Sequence, residues 1–154
     1  MKQYVLCYAE SIDNPDIDWV VLIDKISPQW QLGYLNLPGG EVKSDESIID
    51  AACRELEEET GLLSPSSQCR VLGKMLGDDW IVYVVLCPFQ GPFNVRYDGK
   101  ERPLVISLHE ALCVGSRILP ELRTIIPLCI ARHPWNMFIN ADQGGFTYTL
   151  TVGG

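Results

Sequence analysis

The chain has 154 residues, 47% of them apolar and 21% charged, without a long polar or repetitive run, which suits one globular domain and is short for two. Twelve Lys and Arg against twenty Asp and Glu give a formal charge of −8, which opposes contact with a nucleic-acid backbone or an anionic membrane. A polyanionic partner needs a cation as intermediary.

The first elements are strands. "QYVLCYAE" and "WVVLIDK" are rich in β-branched and aromatic residues and flank the turn-forming "SIDNPDID", so two strands open the domain. "ISPQWQLGYLNLPGG" is rich in Pro and Gly and reads as a loop with a short strand at 34–37. A helix is predicted from Ser47, where "SIID" resembles a capping box, to Gly61, a residue suited to a C′ position. Ile49, Ala52, Cys53 and Leu56 share one helical face and should pack on a sheet.

"CRVLGKML" and "DWIVYVVLCPF" are the next strands, the second apolar enough to be central, and "GPFNVRYDGKERP" is a loop before the strand "LVISL". "HEAL" begins a short helix and "LPELRTIIPLCIARH" a longer one, with a proline able to kink or divide it. The alternating "GFTYTLTV" is an edge strand. Strands and helices mix without a βαβ rhythm, so the expected class is α+β, an α/β/α sandwich around a mixed sheet, as a single domain over 1–154.

Cys7, Cys53, Cys69, Cys87, Cys113 and Cys129 are scattered without a CxxC pair and read as buried thiols of a reducing compartment. "MKQYVLCYAE" has too short an apolar stretch for a signal peptide, and no run reaches membrane-spanning length. The expected location is the cytoplasm.

The chemistry concentrates in "RELEEETG". Glu55, Glu57, Glu58 and Glu59 crowd the C-terminal end of the predicted helix, where the dipole is already negative and cations are favoured. Glu55, Glu58 and Glu59 are spaced i, i+3 and i+4, so their carboxylates project from one face. Mg²⁺ takes a few carboxylates together with waters and substrate phosphates, and such a face supplies them. Arg54 can pair with Glu58 at i+4 or orient a neighbouring carboxylate. A solvated acidic helix face is the alternative.

The stretch matches, position for position, the box of the Nudix hydrolases: Gly40, five residues, Glu46, seven residues, Arg54, Glu55, Leu56, one residue, Glu58, Glu59, one residue, Gly61 and Leu62. With average residue frequencies, such a match arises by chance on the order of once in a billion start positions. The chain resembles a Nudix domain from about residue 3 to 132, since "VVLIDK", "LNLPGG", "WIVYVVLCPF" and "VISLHEAL" fall where the fold's elements usually lie. The resemblance implies an α/β/α sandwich that hydrolyses a nucleoside diphosphate linked to another moiety with Mg²⁺ or Mn²⁺.

It also implies roles. Glu55, Glu58 and Glu59 become metal ligands with the Gly39 carbonyl, Arg54 orients a glutamate, and Glu46 supports the loop–helix–loop. The proton of the attacking water goes to a box glutamate or to a carboxylate of "YDGKERP", with Glu101 preferred to Asp98. Family subgroups for ADP-ribose and for dinucleoside polyphosphates carry a Pro or a Tyr beyond the box, whereas Gly77 and "DDW" stand there. Asn36, three residues before Gly39, resembles the asparagine with which enzymes clearing oxidised purine triphosphates read a base edge; a loop-capping asparagine is the other reading.

Trp30, Tyr34 and Trp80 can stack a base or belong to the core. The first expectation is therefore a nucleoside triphosphate substrate. ADP-ribose, a dinucleoside polyphosphate, or nucleotide sensing without cleavage are the alternatives. The partner is a small nucleotide, with no nucleic-acid polymer and no membrane, and a homodimer is compatible with the reading.

Overall fold

The computed structural model describes residues 1–13, 19–142 and 145–153. The predicted turn "SIDNPDID" lies largely outside them. Strand β1 (Lys2–Ser11), β2 (Trp19–Asp24), β3 (Leu35–Asn36) and β4 (Gly39–Glu41) precede helix α1 (Ile48–Thr60). After it come β5 (Arg70–Leu76), β6 (Trp80–Phe89), β7 (Arg102–Ser107), α2 (Leu108–Leu112), α3 (Leu122–Ala131), β8 (Trp135–Asp142) and β9 (Gly145–Val152).

Six strands form one sheet in the order β4-β1-β6-β5-β8-β9, and three form a second in the order β3-β2-β7. The larger sheet is mixed, because β1 runs parallel to β6 and β5 parallel to β8 while its other pairs are antiparallel. Alternation along β1 shows the layering. Val5, Cys7 and Ala9 join α1 residues Ala51, Ala52 and Leu56 in one apolar cluster. Tyr8 joins Leu122, Ile125 and Ile126 of α3 in the other. Successive side chains of a strand point to opposite faces, so the strands lie between α1 and α3. This is the expected α/β/α sandwich of α+β class.

Three local expectations change. The Gly39–Gly40 segment, read as loop, is strand β4, paired with Leu6 and Val5. A Cβ at Gly39 would stand 2.0 Å from the Val5 carbonyl oxygen, so glycine permits that pairing. The second change is β8, "WNMFINAD", which was not expected. Asn136 and Asn140, poor strand formers, obscure the alternation of Trp135, Met137 and Ile139. Third, only Cys7, Cys87 and Cys129 are buried; Cys53 and Cys69 are half-buried with sulfurs 3.6 Å apart, and Cys113 is exposed. Helix α3 runs unbroken over Pro127. Among the described residues no helix is long and apolar enough to cross a membrane.

Candidate functional site

Helix α1 is fastened at both ends. Ser47 Oγ accepts from the Asp50 N–H at 3.0 Å, and Gly61 closes the helix in the left-handed region with φ of 79°. The Arg96 N–H reaches back to the Thr60 carbonyl at 2.8 Å, and a Cβ on Gly61 would come within 2.3 Å of the Arg96 side chain. The loop after β6 therefore clamps the end of the helix where the glutamates gather.

Arg54 organises the acidic face. Its guanidinium grips Glu46 through two bonds, Nε to Oε2 at 3.0 Å and Nη2 to Oε1 at 2.6 Å. It also donates to Glu55 at 2.8 Å, to Glu58 at 3.2 Å and to the Glu41 carbonyl at 3.2 Å. The Arg54 bonds, helped by the Lys43 N–H, hold the Glu46 carboxyl down at about 2. Glu55 lies against Gly40, where a Cβ would meet its Oε1 at 2.4 Å. A side chain at Gly40 would displace the Glu55 carboxylate from this position.

Glu59 is the opposite case. Its Oε1 accepts from the Gly39 N–H at 3.0 Å, while Oε2 is buried and has no partner. Burial pushes its carboxyl up to about 8, the Gly39 N–H and Lys25 opposing and the charges of Glu55 and Glu101 adding. Glu101 thus lies within electrostatic reach of Glu59. It accepts from Lys25 Nζ at 2.8 Å and from the Ile26 N–H at 2.7 Å. Asp98, the other carboxylate of that loop, caps the Lys100 N–H at 3.0 Å.

The sequence did not point to Lys25 or Arg96. Lys25 closes "WVVLIDK", and its place at the end of a continuous apolar strand was the available signal.

Among the described residues, no three acidic, His or Cys side chains converge ready to hold a metal ion. Arg54 draws Glu55 and Glu58 toward itself and Glu59 turns to Gly39. The donor set nevertheless fits a hard divalent cation. A buried carboxylate oxygen without a partner is costly, and a cation offsets that cost together with the repulsion among the glutamates.

Of the residues expected at the nucleotide, Asn36 is buried, with Oδ1 accepting from the Leu37 N–H at 2.8 Å and Nδ2 donating to Gln31 Oε1 at 3.2 Å. Trp30 is 63% exposed in the preceding loop and Tyr34 is exposed too, so neither is core. Trp80 packs with the α3-side cluster and covers Gly77, so it is not gathered with the glutamates of α1. Its place at the start of β6 puts it on the other face of the sheet.

A family model, the NUDIX domain, matches residues 12–129, well over half of the chain. Among curated proteins, the zebrafish (Danio rerio) m7GpppN-mRNA hydrolase NUDT17 is 60% identical over 38 residues. That match spans 23% of this chain and 13% of the zebrafish protein. The mutator MutT protein of Bacillus halodurans has a similar structure, with a TM-score of 0.69, 16% identity and 97% of each chain covered. The NUDIX domain of Shewanella oneidensis NrtR, solved with ADP ribose, gives 0.67 at 16% identity over 84% of this chain and 86% of that one. Such identities establish the fold alone. With the box intact on a capped helix and the family model running from before β2 to the last turns of α3, the chain belongs to the Nudix family.

Proposed function

We propose that the chain uses Mg²⁺ to hydrolyse a nucleoside triphosphate, oxidised purine nucleotides among the candidates, to the monophosphate and pyrophosphate. The observation that carries the metal reading is Glu59, half-buried, with its Oε2 buried and unpartnered and with the charges of Glu55 and Glu101 nearby. Hydrolases of the family generally use divalent metals. Glu55, Glu58, Glu59 and the Gly39 carbonyl would hold the ion, and Mn²⁺ can substitute. An ion held there would supply Lewis-acid polarisation of the substrate phosphates and would lower the pKa of a bound water.

The chain's own residues do the rest. Arg54 keeps Glu55 and Glu58 on the groove side of α1 while its bidentate hold on Glu46 fixes the guanidinium. Glu101, oriented by Lys25 and the Ile26 N–H, accepts the proton of the attacking water. Asn36 contributes less than a parallel donor and acceptor, because Oδ1 is committed to the Leu37 N–H. Nδ2 is held only by the Gln31 side chain, and it can turn to a purine acceptor. Trp30, exposed in the same loop, offers a face for stacking.

The test is chromatographic separation of the products from a panel of purine and pyrimidine triphosphates (monophosphate and pyrophosphate), ADP-ribose (AMP and ribose 5-phosphate) and a dinucleoside polyphosphate (two nucleotides), with Mg²⁺ and with EDTA. Purine triphosphates should be cleaved fastest, and EDTA should abolish the reaction. Turnover in metal-free buffer would refute the metal role. A preference for ADP-ribose over every triphosphate would overturn the substrate class.

A further inference from the structure

Next to the Lys25–Glu101 pair opens a cleft of about 470 Å³, within the usual range for small-ligand sites. Lys25, Lys100, Arg102 and Arg117 line it, four of the chain's twelve Lys and Arg, against the single carboxylate of Asp24. In a chain of net charge −8 this is a local reversal of sign. Arg117 is held by Asp24 at 3.2 Å and by the Gly33 carbonyl at 2.7 Å, and Lys25 by Glu101 at 2.8 Å. Lys100 and Arg102 have no ion-pair partner among the described residues, and Arg102 stands over the Tyr97 ring, 5.6 Å from its centre. Two cations without counterions, flanked by two anchored ones and a phenol, form a receptor for a multiply charged anion.

Lys25 belongs both to this cleft and, through Glu101, to the surroundings of Glu59. We infer that the cleft binds the anionic group a substrate carries beyond its hydrolysed diphosphate: the linked moiety is a phosphate or polyphosphate end rather than a neutral sugar. This rests on the function proposed above and selects, among nucleoside diphosphates linked to other groups, those with an anionic terminus. A neutral moiety gives Lys100 and Arg102 nothing to pair with. A terminal phosphate takes a bidentate contact from Arg102 and a point charge from Lys100.

The probe is inorganic tripolyphosphate, titrated calorimetrically in EDTA at low ionic strength into the wild type and a Lys100→Gln, Arg102→Gln double variant. Wild type should bind it, more weakly as salt is added, and the variant should lose about tenfold or more in affinity with its thermal transition retained. In parallel, the ratio of kcat/KM for ATP to that for ADP-ribose should fall at least about fivefold in the variant. Absence of tripolyphosphate binding by the wild type, equal affinity in the variant, or equal losses on ATP and ADP-ribose would overturn the inference. If the wild type cleaves no nucleotide, the proposed function fails and the metal-free titration alone decides the cleft.

Discussion

The two helices that cover the sheet are built on different principles. Helix α3 buries Leu122, Ile125, Ile126 and Cys129, has no side-chain cap and tolerates Pro127 within it. Its cohesion is packing. Helix α1 buries Ala51, Ala52, Leu56 and Thr60, mostly small groups, and depends on local devices: the Ser47 cap, the left-handed Gly61, the Arg96 clamp and the Arg54 hub. Small buried residues bring α1 close to β1 and β6 while its other face stays free for charge. The comparison teaches that a helix carrying a self-repelling face is best fixed at its ends and by one guanidinium, because its surface is committed elsewhere.

The sharpest way to break the comparison is to remove charge from one helix and volume from the other. Glu58→Gln leaves the core untouched, since the Glu58 side chain is 56% exposed. We expect kcat to fall by about three orders of magnitude, roughly 4 kcal/mol in transition-state stabilisation, with the melting temperature nearly unchanged. A loss below about tenfold would show that Glu58 is not central to the site.

Ile126→Ala should do the reverse. Ile126 is fully buried in the α3-side cluster, and such truncations cost about 2 to 5 kcal/mol of stability. Denaturant unfolding should report that loss, while kcat of the folded enzyme at low temperature stays close to wild type. A large change in kcat would mean that α3 also shapes the catalytic groove.

The same contrast explains what the sequence disclosed. The helix ends at Ser47 and Gly61 were legible because capping is written in single residues with one geometric job, and the structure has both. The glutamate face was legible because its spacing and the box do not depend on tertiary context. Strand β4 was hidden because Gly39 and Gly40 have no side chains to show a pattern, and only the approach of Val5 makes that segment a strand. The pairing of Lys25 with Glu101 joins residues 76 apart in sequence and comes from β2 and β7 lying antiparallel, which no local pattern contains. Trp80, read from sequence as a stacking or a packing residue, lies partly buried against the cluster on the other face, a placement that only the pairing of β6 decides.

The smallest expected effect compares acids. Glu121, which precedes α3, is half-buried, and desolvation raises its carboxyl above the ordinary value without an ion-pair partner among the described residues. In such a group the native state holds its proton more tightly than the unfolded chain. Between the unfolded pKa, near 4.3, and the higher folded one, the native state therefore binds more protons, and stability falls as pH rises through that window. Below it both states are protonated, and the penalty is absent. Glu121→Gln removes the titration, so the variant should gain melting temperature over wild type at pH 8 and little at pH 4. The difference should not respond to Mg²⁺, since Glu121 adjoins the helix that carries no acidic face. An identical pH profile for the two proteins would show that Glu121 is solvated, and a profile that Mg²⁺ flattens would mean that the α3 side also binds the cation.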